Sequence, residues 1–93
     1  MKKTIVILGA GESGAGSAVL AQKHGFDVFV SDNGLILEKY REILDNHNIR
    51  WEEGNHSEAI ILAADEVIKS PGLPEKSPVI TRIREKGIPV ISE

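Results

Sequence analysis

GAGESGAGSA, residues 9–18, comes directly after the apolar run Ile5-Val6-Ile7-Leu8, and four of its glycines fall within eight residues. A short, continuous, β-branched run that ends in glycine predicts a fully buried strand over Thr4 to Leu8. The residues beyond the glycines, Ser13 to His24, predict a helix whose apolar side is Ala18, Val19, Leu20 and Ala21, stopped by Gly25. Gly9, Gly11 and Gly14 therefore stand in a strand-to-helix turn with the spacing G-x-G-x-x-G. In such a turn the first glycine makes the tight bend. The second leaves the backbone open to a phosphate, and the third lets helix and strand pack closely. Glu12 and Ser13 fall where the first helical N–H groups face an anion, and the Ser13 hydroxyl can add a donor. The plainer alternative is a turn tightened by glycine for packing alone. Glu12 also brings a negative charge toward any phosphate held there.

The same alternation continues along the chain. Asp27 to Ser31 predicts a second strand, Asp32-Asn33-Gly34 a loop, and Ile36 to Asn46 a helix with Leu37, Tyr40, Ile43 and Leu44 on one face. Ile49 to Glu53 predicts a third strand and Ser57 to Ala63 a short helix, with Ser57 as its N-cap. Glu66 to Lys69 predicts a fourth strand, followed by the stiff loop Ser70-Pro71-Gly72-Leu73-Pro74. Ser77 and Pro78 suit the cap and first position of a last helix running to about Lys86, and Pro89 to Ser92 is a fifth strand. Strands alternating with helices through short links predict an α/β fold in three layers, a five-stranded parallel sheet covered on both faces. Right-handed crossovers give a Rossmann-like strand order of 3-2-1-4-5. The 93 residues make one small domain. The sequence stops on its last strand, so we expect residues 1–93 to be the N-terminal part of something longer.

Composition narrows the function classes. Hydrophobic residues are 41% and charged residues 27%, a globular balance, and the net charge is -3 with no basic stripe, which argues against a nucleic-acid partner. There is no cysteine, so disulfides and thiolate metal sites are excluded. The apolar run after Met1-Lys2-Lys3 is broken early by Gly9 and Glu12, too soon for a signal peptide or a membrane span, and we expect a cytoplasmic protein with no membrane partner.

Two further sites fall on the carboxyl edge of the predicted sheet, where open α/β sheets bind ligands. Asp32 closes the second strand about twenty residues after the glycine turn. An acid there takes ribose hydroxyls or a base N–H, or serves only as the aspartate of an Asp-Asn-Gly turn. Ser70-Pro71-Gly72 closes the fourth strand beside the glycines. The glycine turn and Asp32 suit an NAD(H)-binding module of an oxidoreductase or regulatory protein equally well.

"GAGESG" after the first strand, "SD" after the second and "KSPGLP" after the fourth, in that order, resemble the Mur ligases, most closely the branch that adds D-glutamate. The resemblance covers essentially the whole chain, and "AADEVIKSPGLPEKSPVITRIREKGIPVISE" is its most telling stretch. It implies the N-terminal domain of a three-domain ligase of cytoplasmic peptidoglycan precursor synthesis, which binds UDP-N-acetylmuramoyl-L-alanine. Carried over by residue, it implies a diphosphate turn at Gly9, Gly11, Glu12, Ser13 and Gly14, a uracil and ribose side at Asp32, Asn33 and Gly34, and a loop at Ser70, Pro71 and Gly72. Asn33-Gly34 is smaller than the polar pair some relatives carry. The family's ATP loop, magnesium ligands and modified lysine belong to a central domain, and a C-terminal domain helps bind the amino acid. No G-x-x-x-x-G-K-[ST] occurs in this chain, so no catalytic residue, cofactor site or metal site is expected in it. Its expected partners are that UDP-sugar and its own central and C-terminal domains. A relative adding another amino acid remains an alternative.

His24, His47 and His56 are scattered, with no ligand-like spacing. Trp51 alternates with charges on a short strand and is expected to be a partly buried edge residue, and Glu38 to Glu42 a solvated helix face.

Overall fold

The computed structural model describes residues 2–92. Met1, the start of the N-terminal run, and Glu93, the end of the most telling stretch, lie outside the described residues. Among the described residues nine elements follow one another: β1 (Thr4–Leu8), α1 (Glu12–Lys23), β2 (Asp27–Asp32), α2 (Glu38–Asn46), β3 (Arg50–Glu53), α3 (Glu58–Ile61), β4 (Glu66–Lys69), α4 (Pro78–Glu85) and β5 (Val90–Ser92). The strands form one sheet in the order β3-β2-β1-β4-β5, every neighbouring pair parallel. This is the order expected from the alternation.

Alternate side chains of the central strand go to opposite faces. Ile5 and Ile7 of β1 pack with Val28, Val30, Ala18, Ala21 and Leu44, so α1 and α2 cover that side. Val6 and Leu8 pack with Phe29, Val67, Ile61, Val79, Ile80 and Ile83 beneath α3 and α4. The two cores explain why β1 has no polar residue between Ile5 and Leu8: a central parallel strand is buried on both faces.

Three local expectations differ. Helix α2 begins at Glu38 rather than Ile36. Ile36 is buried as a plug, its N–H bonded to Glu53 Oε1 at 3.0 Å, and Leu37 at the N-cap has extended backbone. Leu37 and Ile43 are exposed, so the buried face of α2 is narrower than the apolar spacing suggests. Helix α3 is a single turn. Ser57 and Ser77 hold the N-cap positions of α3 and α4, yet neither makes a side-chain cap. The Ser57 hydroxyl donates to Glu52 Oε1 at 2.6 Å instead, because a carboxylate is a stronger acceptor than a helix end needs. Pro78 occupies the first helical turn as expected. No helix among the described residues is long and apolar enough to cross a membrane.

Candidate functional site

The strand order reverses between β1 and β4, and the two loops leaving that point touch. Gly9 continues the ladder from β1, its N–H bonded to Ser31 O at 2.8 Å, and then turns with φ +101°. A Cβ on Gly9 would lie 2.6 Å from Ser70 Cβ. Only glycine suits this position, on backbone grounds and on space. Gly11 is different. Its φ is -81°, and a Cβ there meets nothing within 4 Å. It opens α1 by accepting the Ala15 N–H at 2.9 Å, and no side chain caps the first turn. The third glycine of the motif is a packing residue: a Cβ on Gly14 would stand 1.8 Å from Gly9 O.

Asp32 ties this turn to its own loop. Oδ2 accepts the Ala10 N–H and Oδ1 the Gly34 N–H, both at 2.9 Å. The turn-aspartate role is therefore present, and the same carboxylate lines the cleft. On the other side, Ser70 N–H bonds Leu8 O at 2.9 Å and Ser70 O accepts the Leu73 N–H at 3.1 Å, a β-turn with Pro71 and Gly72 at its centre. Lys69 is buried beneath it. Its ammonium donates to Leu73 O at 2.9 Å and pairs with Glu75 at 3.8 Å, which also pairs with Arg84. Lys69→Met keeps the aliphatic stem and removes the clamp. We expect Leu73 amide exchange to accelerate about fivefold, the equivalent of one hydrogen bond of about 1 kcal/mol. An unchanged rate would mean that the turn holds itself.

Gly9, Ala10, Gly11, Asp32, Asn33, His56, Ser70, Gly72 and Leu73 line one cleft of about 210 Å³. Asn33, His56 and Leu73 also line a second cleft of about 280 Å³ that runs on toward Ser77 and Arg82. Each is below the usual size of a small-molecule pocket of ~300–1,000 Å³, but together they form a continuous trough over the sheet edge. Six of the expected site residues thus come together. Glu12 and Ser13 are exposed on the first turn of α1 and do not line the cleft, Gly14 lies buried, and Gly34 and Pro71 are exposed at its margins.

Sequence reasoning missed His56 and the residues that hold it. Ser31 is wholly buried at the end of β2. Its hydroxyl lies 2.8 Å from Glu52 Oε2, 2.7 Å from His56 Nδ1 and 3.3 Å from Asn55 O. Glu52 also accepts the Ser57 N–H at 2.7 Å. Burial pushes the Glu52 carboxyl up, but the Ser57 and Ser31 hydrogen bonds and nearby His56 outweigh it and hold the group below its ordinary range. The available signal was the serine itself, a polar residue in an otherwise apolar strand that must find partners.

Comparison with known proteins gives the family and the fold. Residues 3–92 match the family described as Mur ligase MurD-like, N-terminal domain. The chain is 63% identical over 91 residues to the UDP-N-acetylmuramoylalanine--D-glutamate ligase of Bacteroides fragilis, covering 98% of this chain and 20% of that protein. Among solved structures it is similar to a pseudomurein peptide ligase type C from Methanothermus fervidus, with TM-score 0.84 and 27% identity over 98% of this chain and 19% of that one. It is also similar to the UDP-N-acetylmuramate:L-alanyl-gamma-D-glutamyl-meso-diaminopimelate ligase from Neisseria meningitides, with TM-score 0.82 and 25% identity over 99% of this chain and 29% of that one. The chain spans about a fifth of the length of the curated relatives it matches.

Proposed function

The chain belongs to the Mur ligase family, as a MurD-like N-terminal domain, and from that premise we propose that it holds the UDP portion of UDP-N-acetylmuramoyl-L-alanine for a ligase that adds D-glutamate. The observation that carries this reading is the contact of Gly9 with Ser70, which joins the glycine turn and the Ser-Pro-Gly loop into one trough at the strand-order reversal. The open backbone at Gly11 and the uncapped amides of Glu12, Ser13 and Gly14 take the diphosphate. Asp32, Asn33 and Gly34 face the uracil and ribose, and Ser70, Pro71 and Gly72 close over the nucleotide. Asp32 already accepts two backbone N–H groups, and each carboxylate oxygen has a second lone pair for the ligand.

In the parent protein, ATP and magnesium act in the part of the sequence beyond this domain. There the substrate carboxylate takes the γ-phosphoryl group to become an acyl phosphate. The amine of D-glutamate then displaces phosphate and forms the amide. This domain supplies orientation rather than chemistry, in a cytoplasmic enzyme whose other partners are its own central and C-terminal domains.

The test is an amide NMR titration with UDP and, in parallel, NAD. UDP is expected to move Gly11 to Gly14, Asp32 and Ser70 to Gly72. Shifts with NAD alone would overturn the reading in favour of a dinucleotide module. Gly11→Val has room in the apo fold and costs about 1 kcal/mol at most as a poorer N-cap. It fills the space of the phosphate, so we expect the UDP Kd to rise at least ~10-fold, a loss of ~1.4 kcal/mol. An unchanged Kd would remove the turn from the site.

A further inference from the structure

We propose that His56 contacts the nucleotide directly: the Glu52–Ser31 pair pins a proton on Nδ1, which leaves Nε2 as a hydrogen-bond acceptor for the base or ribose end of the ligand. This rests on the nucleotide reading above and adds to it a residue that the glycine, aspartate and Ser-Pro-Gly motifs do not contain.

Ser31 Oγ has one hydrogen and three neighbours, Glu52 Oε2, Asn55 O and His56 Nδ1. The first two are acceptors only. If Ser31 donated to Nδ1, two oxygens 2.8 Å apart, those of Ser31 and Glu52, would face each other without a proton between them. The hydroxyl therefore donates to Glu52, and Nδ1 must carry a hydrogen and donate to Ser31. In the neutral ring Nε2 then holds a lone pair. No described residue bonds to it. The pinning is built into the sheet: Ser31 and Glu52 are register partners on β2 and β3, and Glu52 is further fixed by both Ser57 donors.

Position gives the ligand. His56 stands with Asn33 and Leu73 where the two clefts join, on the Asp32 side of the trough. Around it are Asp32 and, along the second cleft, Glu58 paired with Arg82. A ring that accepts there favours a group that donates, either the imide N–H of a pyrimidine or a ribose hydroxyl.

The experiment follows the imidazole nitrogens of His56 by NMR in the 15N-labelled chain at about pH 8, above the ordinary histidine range. The ligand-free chain is expected to show a protonated Nδ1 and an unprotonated Nε2, and Ser31→Ala to mix the two tautomers. Added UDP is expected to shift Nε2. CDP, which lacks the imide hydrogen, and 2′-deoxy-UDP, which lacks the ribose 2′-hydroxyl, separate the donors: a shift lost with CDP assigns the imide, and a shift lost with 2′-deoxy-UDP assigns the ribose. By titration calorimetry, His56→Phe is expected to raise the UDP Kd about 5- to 10-fold, the scale of one hydrogen bond. Its amide spectrum away from the trough reports whether the fold is intact. A protonated Nε2 in the free chain would overturn the proposal. So would UDP binding that moves Gly11 while leaving Nε2 and the His56→Phe affinity unchanged, and that result would spare the nucleotide reading. A chain that does not bind UDP overturns both.

Discussion

Gly14→Ala is expected to cost about 4 kcal/mol or more, enough to unfold a domain of this size. One methyl group is a small change, but its place is already occupied. The added carbon would sit 1.8 Å from Gly9 O and 2.9 Å from Gly9 C, with Ile7 Cγ2 at 3.6 Å. The obstacle is backbone, and it cannot rotate away as a side-chain tip would. Gly9 has no freedom to retreat. Its N–H is bonded to Ser31 O, its φ is +101°, and its Cα faces Ser70. Helix α1 would have to lift from the sheet, which uncovers Ala15, Ala18 and Ala21. Gly16→Ala, two residues along the same helix, provides the control. A Cβ there meets nothing within 4 Å. The alanine should stabilise the domain by about 0.5–1 kcal/mol, the ordinary helix preference over glycine. Thermal or urea unfolding of the two variants separates a steric glycine from a merely permissive one. A stable, folded Gly14→Ala would mean that the turn and helix can part by enough to relieve the 1.8 Å approach to Gly9 O.

The contrast among these glycines also shows what the sequence could and could not convey. The G-x-G-x-x-G spacing, the β-branched runs of β1 and β2 and the strand-helix alternation carry the whole topology, because each depends on local pattern and on the handedness of crossovers. The carboxyl-edge rule then brings Gly9, Gly11, Asp32, Asn33, Ser70 and Gly72 to one trough. What stayed hidden depends on register. Ile36-Leu37 has helical apolar spacing, but Glu53 on β3 takes the Ile36 N–H and α2 begins two residues later. Ser57 has the look of a cap until Glu52 is brought beside it. His56 is one of three scattered histidines until β2 and β3 align Ser31 with Glu52. Pairwise register across a parallel sheet leaves no mark in the spacing of single residues. Only the unexplained serine in a buried strand pointed toward it.

That cluster is also where the second large effect is expected. Glu52→Ala removes the acceptor for the Ser31 hydroxyl, the Ser57 N–H and the Ser57 hydroxyl at once. Hydrogen bonds to a charged group are worth about 1.5–3 kcal/mol each, but Ser31 can fall back on Asn55 O and Ser57 is half-buried and within reach of water, so we expect a loss of about 3 kcal/mol at neutral pH. Glu52→Gln keeps an acceptor and loses the charge, and should cost about 1 kcal/mol. The two variants differ from the parent in their response to acid. Glu52 is held below the ordinary carboxylate range in the fold and titrates at its ordinary value in the unfolded chain. Between those two values the native state binds fewer protons than the unfolded one, so stability rises with pH there. The contribution is complete above the ordinary carboxylate pKa and is lost as pH falls through the lowered native value. Urea midpoints measured from neutral pH down through the carboxylate range should therefore drop more steeply for the parent than for Glu52→Gln, and the gap between them should close at the acid end. Parallel curves would mean that Glu52 titrates in the fold as it does in the unfolded chain, and a parent that instead loses stability relative to Glu52→Gln as pH rises through the carboxylate range would mean that the carboxyl is protonated in the fold. In that second case nothing would oblige Ser31 to donate toward Glu52, and the tautomer of His56 would be free.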